Sequence, residues 1–260
     1  MKRIIDDLKK YGGYVLYASR SQLKAEIAQS KLNWIWWVLE PLCFMLIYAF
    51  VFGTLFNGSE QYHGLFIFLG LSIWQFFSRV VKQSVGNIKR KKSIIAKVYI
   101  PKYLLVLQEV MVNGFKLGIS MCLTIIMMIF YQVELSWQLI MIVPVFIEVF
   151  IFTFAIGCFM THIGVFLEDL SNIMDIVLRM LMYFVGIFYS IPKRFVAPLN
   201  TYLVDWNPLA LLIDSARKIL LYNEPLNYHM LFFWGVISVV LAYAGIQLIC
   251  KSENTYVKVV

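Results

Sequence analysis

The chain has 260 residues, of which 61% are hydrophobic and 15% are charged, and its mean hydropathy is +0.75. Because soluble domains are roughly 45–50% apolar, this composition excludes an ordinary soluble protein and predicts an integral membrane protein. The net charge of +8 does not indicate a nucleic-acid partner, since the basic residues cluster beside the apolar runs. There they orient membrane spans and contact membrane lipids with anionic headgroups.

The first element is an amphipathic leader, residues 1–33. After a break expected at Gly12-Gly13, Leu16, Leu23 and Ile27 recur among charged and polar residues. This pattern is typical of a helix that lies in the membrane interface on the cytoplasmic side.

Six apolar segments follow, each long enough to cross a hydrocarbon core of roughly 30 Å, which takes about 20 residues. They cover residues 34–56, 65–85, 104–130, 139–163, 170–191 and 230–250. Lysines and arginines are concentrated in the leader, in the loop after the second span and in the tail, so both termini and that loop are predicted to be cytoplasmic. The chain is therefore predicted to be one all-α domain, residues 1–260, with six transmembrane helices in a plasma membrane.

The loop after the second span, residues 86–102, is called the basic segment below. Four consecutive basic residues, Lys89 to Lys92, precede a short apolar face formed by Ile94, Ile95 and Val98. A basic amphipathic segment of this kind can contact lipid phosphates or dock into a groove of a partner.

Between the fifth and sixth spans, residues 192–229 contain apolar pieces that are too short to cross the membrane. Asn207-Pro208 supplies an N-cap and a proline at the first helical position, after which Leu209, Leu212 and Ala216 share one face. We expect one or two re-entrant or interfacial helices here, on the outer side.

Ionisable residues inside the spans are costly and need a partner or water. At about 1.5 Å per residue, Lys116 and Glu148 lie about 12 and 13 Å from the outer edge, and Arg179 lies within a few ångströms of that level. Arg179 also follows Asp175 by four residues, which places the two on one helical face. We predict that Glu148 pairs with Lys116 or Arg179.

A second pair is predicted nearer the inner edge. Glu40 on the first span and Arg79 on the second both lie about 9 Å from that edge, at 1.5 Å per residue. An interhelical Glu40–Arg79 ion pair is expected from this match. The alternative for all of these charges is an ion pathway or exposure to a water-filled cavity.

Aromatic residues make up 17% of the chain and form stripes on the first two spans. The stripe residues are Trp37, Phe44, Tyr48, Phe52, Trp74 and Phe77. Sugar rings stack on aromatic faces, so stripes that face a conduit can guide a glycan. Aromatic residues that face lipid or pack between helices are the alternative.

Motifs for chemistry are mostly missing from the sequence. No G-x-x-x-x-G-K-[ST] motif is present, so any ATP drive must come from another subunit. The histidines and cysteines lack the spacing of a zinc site, and no metal site is predicted. The acidic pair Glu168-Asp169, before the fifth span, is interpreted as helix capping favoured by the macrodipole, with metal-diphosphate binding as the alternative.

Three groups of short motifs, spread over most of the chain, follow the order that is typical of one family of membrane proteins. They are Gln29-Ser30-Lys31-Leu32 with Glu40-Pro41-Leu42 and Phe50-Val51-Phe52-Gly53, then Gly70-Leu71-Ser72-Ile73-Trp74 with Lys97-Val98-Tyr99-Ile100-Pro101-Lys102, and then Asn207-Pro208-Leu209 with Arg217. Together they resemble the membrane subunits of type-2 ABC exporters for cell-surface polysaccharides, which export O-antigen, teichoic acid and related lipid-linked glycans.

The resemblance implies a non-enzymatic permease that forms a homodimer, with a conduit along the subunit interface and two copies of a cytosolic ATPase subunit. ATP and Mg²⁺ would bind to that ATPase, and this chain would hold no cofactor. The basic segment would be the coupling helix. The residues implied in ATPase coupling are Lys91, Lys92, Ile94, Ile95, Val98, Tyr99, Pro101, Glu168 and Asp169.

Several alternatives to polysaccharide export stay open at the level of sequence. A type-2 ABC exporter of drugs or small lipids would have a narrow apolar cavity instead of a wide aromatic conduit. A polyprenyl-dependent membrane glycosyltransferase would need an acidic metal motif, for which only Glu168-Asp169 is available. A scaffold protein would tolerate changes in the basic segment, and that segment can also be bound purely to lipid.

Overall fold

The computed structural model describes residues 2–28, 33–51, 61–134 and 136–259, and within these ranges the chain is helical without any β-strand. The helices are α1 (Lys2–Ala28), α2 (Asn33–Ala49), α3 (His63–Val85), α4 (Asn87–Arg90), α5 (Lys92–Ile95), α6 (Tyr103–Phe130), α7 (Ile142–Phe166), α8 (Leu170–Phe184), α9 (Ile191–Arg194), α10 (Leu199–Asp205), α11 (Pro208–Arg217) and α12 (Tyr228–Val259). A 3-10 turn at Trp137–Met141 precedes α7, and a π turn at Lys218–Tyr222 follows α11.

Among the residues that the structure describes, four helices are long and apolar enough to cross a membrane: α3, α6, α7 with its preceding 3-10 turn, and α12. They coincide with the second, third, fourth and sixth predicted spans, so the chain is a multi-pass membrane protein. Helix α2 has 17 residues and corresponds to the first predicted span. The end of that span, from residue 52 onward, lies outside the described residues.

The helix of the fifth predicted span, 170–191, ends before the predicted span does. Helix α8 has 15 residues, a length of about 23 Å, which is less than the roughly 30 Å of a hydrocarbon core. The chain then turns at Gly186, whose φ of 72° suits glycine. The turn is stable because the buried Arg217 guanidinium donates hydrogen bonds to the carbonyl oxygens of Gly186 and Ile187, both at 2.8 Å.

The described part of the leader, Lys2–Ala28, forms one continuous helix, so the predicted break at Gly12-Gly13 is wrong. Each glycine costs a helix about 1 kcal/mol relative to alanine, and packing offsets that cost. Val15 is 1% exposed and belongs to an apolar cluster with Tyr103 and Val106 of α6. Helix α1 therefore lies against α6, where it brings polar side chains to the base of that helix.

The predicted helix start at Asn207 is confirmed. The Asn207 side-chain oxygen accepts hydrogen bonds from the backbone N–H groups of Leu209 and Ala210, at 3.2 and 3.3 Å. Leu209, Leu212 and Ala216 are buried on α11, in the cluster that also contains the apolar side chains of α3. The re-entrant or interfacial placement of residues 192–229 stays a prediction.

Helix α3 lies at the centre of the molecule, where it contacts α2, α6, α7, α8 and α11. The C-terminal end of α3 is in direct contact with α7. The Thr161 hydroxyl of α7 donates to the Ser84 carbonyl oxygen at 3.0 Å, and Gly164 lies directly against the backbone of Val85. The start of the basic segment is therefore fixed to α7 as well as to α3.

Candidate functional site

The basic segment joins α3 to α6 through two single helical turns, α4 and α5. The backbone N–H of Val98 donates to the Ile94 carbonyl oxygen at 3.1 Å, so Ile94 and Val98 lie one turn apart on one face. Their side chains are 43% and 55% exposed. These two residues form an apolar patch on the surface, between the exposed lysines Lys92 and Lys97.

Two residues predicted for ATPase contact point to the interior instead. Ile95 packs against the buried cluster that includes Ile88 and Tyr103, and Pro101 is buried. Ile95, predicted for the docking face, is therefore only partly exposed and Pro101 is buried, and the role of both residues in ATPase coupling stays a prediction. Both side chains pack on the side of the segment that faces the helices, because its short helical turns can expose only one side.

Lys91, one of the residues implied in ATPase coupling, is directed to the interior of the subunit, and its role in coupling stays a prediction. Its ammonium group lies 2.9 Å from Glu109 Oε1 and 3.0 Å from Gln108 Oε1, both on α6. Gln22 of α1 donates to Glu109 Oε2 at 3.1 Å and accepts from Gln108 Nε2 at 2.8 Å. This polar network binds the beginning of the segment to α6 and to the leader.

Burial governs the electrostatics of this network. The Lys91 and Glu109 side chains are 14% and 3% exposed. Burial lowers the pKa of Lys91, and the attraction of the Glu109 carboxylate opposes that shift. Removing either partner would leave an uncompensated buried charge, which is far more costly than losing an exposed pair.

The far end of the segment is bound to α12. Glu253 accepts a hydrogen bond from the Tyr99 hydroxyl at 3.0 Å and another from the backbone N–H of Lys102 at 3.2 Å. The Lys102 ammonium lies 4.9 Å from the centre of the Tyr99 ring. Tyr99, predicted for ATPase contact, thus directs its hydroxyl inward while its side chain is 55% exposed.

The acidic pair before α8 lies beside the same segment. Glu168 Oε1 is 3.5 Å from Lys89 Nζ, and its side chain is 89% exposed. Asp169 occupies the N-cap of α8 and its side chain makes no capping hydrogen bond, so the interpretation that the helix macrodipole favours the acidic pair at this position is kept. Across the described parts of the chain, the structure places no group of three or more His, Cys, Asp or Glu side chains suited to a metal ion.

A groove of about 290 Å³ opens between α2, α3 and α8. Its walls combine aromatic, apolar and charged side chains. The lining residues are Glu40, Phe44, Tyr48, Leu71, Trp74, Gln75, Ser78, Lys82, Leu178, Arg179 and Met182. Phe44 and Tyr48 stack with ring centres 6.0 Å apart, so three of the predicted conduit residues, Phe44, Tyr48 and Trp74, lie together here.

The other predicted conduit residues do not line this groove. Trp37 is 8% exposed and packs edge-on against Phe115, with ring centres 6.2 Å apart. Phe77 is 4% exposed and stacks on Phe152 at 6.0 Å. For Trp37 and Phe77 the packing alternative is correct, because both lie between helices. Phe52 lies outside the described residues.

The predicted Glu40–Arg79 contact is confirmed. Glu40 Oε2 lies 2.8 Å from Arg79 Nη2, and the two side chains are 45% and 26% exposed. Arg79 also lies 3.4 Å from Gln75 Oε1. The pair therefore ties α2 to α3 at one end of the groove.

The predicted pairing of Glu148 with Lys116 or Arg179 is wrong. Lys116 Nζ lies 2.7 Å from Glu26 of the leader. Asp175 pairs with Lys82 of α3 at 2.6 Å. Arg179 lines the groove without an ion pair to any described carboxylate. Glu148 is 9% exposed, and its Oε1 has no hydrogen-bond partner among the residues described.

Residues 16–221 match the ABC-2 type transporter family. The chain belongs to this family. It is 25% identical over 248 residues to the O-antigen export system permease protein RfbA of Klebsiella pneumoniae, covering 93% of this chain and 92% of the relative. It is 24% identical over 245 residues to RfbA of Myxococcus xanthus, covering 94% of each chain. It is 22% identical over 256 residues to the polysialic acid transport protein KpsM of Escherichia coli, covering 90% and 91%.

Sequence reasoning missed the acidic residues that hold the basic segment of this ABC-2 type transporter. Glu109 lies at the inner end of the third predicted span, close to the loop lysines in depth, so the depth argument used for Glu40 and Arg79 also predicts a partner there. Glu253 gives no such signal. It lies after the last predicted span, in a mixed polar tail without an apolar period.

Proposed function

We propose that this transporter is the permease subunit of an ATP-driven exporter that moves a lipid-linked polysaccharide, an O-antigen or a similar glycan such as teichoic acid, to the outer face of the plasma membrane. Family membership and the O-antigen and polysialic acid relatives support this proposal. The observation that carries it is the exposed patch of Ile94 and Val98 on a segment held at both ends. An exposed apolar patch on a segment that is bound at both ends is suited to the docking of a separate ATPase subunit.

In the proposed assembly, the permease is a homodimer with six spans per subunit and both termini in the cytoplasm. One ATPase subunit docks on the basic segment of each copy, and ATP and Mg²⁺ bind there. Ile94 and Val98 enter an apolar groove of the ATPase, while Lys92 and Lys97 contact its acidic rim and lipid phosphates. Closure of the ATPase pair then displaces the inner ends of α3 and α6.

The groove between α2, α3 and α8 supports a glycan over a small apolar substrate. Phe44, which is 41% exposed, offers a flat face for a sugar ring beside Tyr48. Glu40, Lys82 and Arg179 line the same groove and offer hydrogen bonds to hydroxyl groups. An exporter of drugs or small lipids would instead gain from a uniformly apolar wall.

Aspartate substitutions on the exposed patch test the docking function. Each of Ile94→Asp and Val98→Asp removes an apolar anchor whose full burial is worth about 1.5–3 kcal/mol and adds a charge. We therefore expect co-purification of the ATPase to weaken by at least about tenfold, since about 1.4 kcal/mol corresponds to that factor. Surface glycan should fall in proportion, while the glycan accumulates inside the cell.

The matched control is Val196→Asp, because Val196 is 84% exposed and lies outside the basic segment. Membrane insertion and the melting temperature should be unchanged in all three variants. Normal ATPase association by the Ile94 and Val98 variants would refute the docking role. It would favour a segment bound only to lipid.

A further inference from the structure

The basic segment is covalently joined to α3 and α6, yet its end is also bound to a third long helix. The two carboxylate oxygens of Glu253, on α12, accept from two different groups of the segment: the Tyr99 hydroxyl at 3.0 Å and the Lys102 backbone N–H at 3.2 Å. Glu253 is 7% exposed and Lys102 is 4% exposed. One buried side chain thus holds both ends of the turn between Tyr99 and Lys102.

The position of this carboxylate is physically favourable. Lys102 is the N-cap residue of α6, where backbone N–H groups have no partner within the helix. A negative charge at a helix N-terminus is also stabilised by the macrodipole. Glu253 therefore caps α6 from another helix, which couples the position of α12 to the beginning of α6.

The end of α12 is fastened to α7 as well. The Tyr256 hydroxyl lies 2.6 Å from His162 Nδ1 of α7, and Tyr256 is 1% exposed. Burial raises the pKa of Tyr256 to about 12, so the phenol stays neutral near pH 7. Gly235 lies beside Glu148 and Gly245 lies beside Cys158, so α12 and α7 run parallel in direct contact.

We propose that Glu253 is a positioning residue that transmits movement of the basic segment to α12 and, through α12, to α7. This inference rests on the proposed docking of an ATPase at Ile94 and Val98. Without Glu253, displacement of the segment reaches α3 and α6 through the chain itself, while α12 loses its direct attachment to the Tyr99–Lys102 turn. Glu253 contacts neither the ATPase nor the groove in this scheme.

The first experiment measures the attachment itself, without any ATPase. Hydrogen exchange of a peptide that covers the Lys102 amide should be at least about tenfold faster in Glu253→Leu, because an amide that loses its buried acceptor becomes free to exchange. Glu224→Leu is the matched control, since Glu224 is an exposed glutamate outside the segment. It should leave the exchange rate unchanged, and an equal rate in both variants would overturn the proposal.

The second experiment measures coupling in the assembled transporter. In Glu253→Leu, ATPase association should stay within about twofold of the parent, while glycan exported per ATP hydrolysed should fall by about tenfold, the factor expected for losing charge-assisted hydrogen bonds. Tyr99→Phe removes only one of the two bonds and should give a smaller loss, of about two- to fivefold. Glu253→Gln keeps one acceptor oxygen and should restore part of the coupling.

The outcomes separate this inference from the docking function. Unchanged export per ATP in Tyr99→Phe and Glu253→Leu overturns the transmitting role, and so does a loss of ATPase association in Glu253→Leu. If Glu253→Leu fails to insert or fold, Tyr99→Phe alone decides, because it removes a single hydroxyl. Normal association in Ile94→Asp would refute docking instead, and the exchange measurement at Lys102 would still report on the attachment.

Discussion

Replacing Gly164 by alanine is expected to force α7 away from the end of α3. A Cβ atom at Gly164 would lie 2.8 Å from the carbonyl carbon of Val85 and 3.1 Å from its Cα. These are backbone atoms, so no side chain can rotate away to make room. The two helices must therefore separate at the point where the basic segment begins.

The size of the effect follows from three contributions. Overpacking of this kind costs about 1–3 kcal/mol, with the upper end expected for a backbone clash. Separation of α3 and α7 also weakens the 3.0 Å hydrogen bond from the Thr161 hydroxyl to the Ser84 carbonyl oxygen. Such a hydrogen bond contributes about 0.5–1.5 kcal/mol. The better helix propensity of alanine offsets about 1 kcal/mol of this cost. The balance is a net loss of about 0.5–3.5 kcal/mol.

Thermal unfolding of the purified protein in nanodiscs measures this loss. A chain of 150–250 residues loses about 2–4 °C of melting temperature per kcal/mol, so Gly164→Ala is expected to lower the melting temperature by about 1–14 °C. Gly118→Ala is the control, because nothing lies within 4 Å of a Cβ at Gly118. That variant should melt at or above the parent temperature. Equal melting of the two variants would refute the argument from close backbone contact.

Two further substitutions test contacts predicted from sequence. Asn207→Ala removes the cap of α11 and should cost about 1 kcal/mol, or about 2–4 °C of melting temperature; an unchanged temperature would show that the cap contributes nothing. Glu40→Ala should cost at most about 1 kcal/mol, because the Glu40–Arg79 pair is partly exposed. Adding Arg79→Ala should then cost less than it does in the parent, and strictly additive effects in a double-mutant cycle would argue against the pair.

The long helices of this transporter follow from local signals in the sequence. Helices α3, α6, α7 and α12 coincide with long, mainly apolar segments, and the start of α11 follows from Asn207-Pro208. Helix α8 differs, because its apolar run continues to Ile191 but the helix ends at Phe184. Hydropathy does not report that Arg217 satisfies the carbonyls of Gly186 and Ile187. A contact between distant parts of the chain decides where this helix stops.

For the charged residues, the sequence predicts the depth of a side chain in the membrane but not the direction in which it points. The rise per residue gives the level of a side chain in the membrane, and this was enough for Glu40 and Arg79. It does not give the direction in which a side chain leaves its helix. Lys116 shares a level with Glu148 but is directed to the leader, where Glu26 lies 2.7 Å away. Pairing by depth therefore fails wherever a third helix offers a closer partner.

The same distinction changes the physical picture of the basic segment. Its sequence suggests a uniformly cationic surface, but Lys91 is directed inward to Glu109 and Lys102 is 4% exposed. Only part of the charge is available to a partner or to lipid, because the Lys91 ammonium holds the segment to α6 and the Lys102 ammonium lies against the Tyr99 ring. A segment held in this way moves with the helices beneath it because packed interfaces resist continuous deformation. An ATPase that displaces Ile94 and Val98 would accordingly move several helices together. The extent to which each helix moves would depend on buried contacts such as those of Glu253.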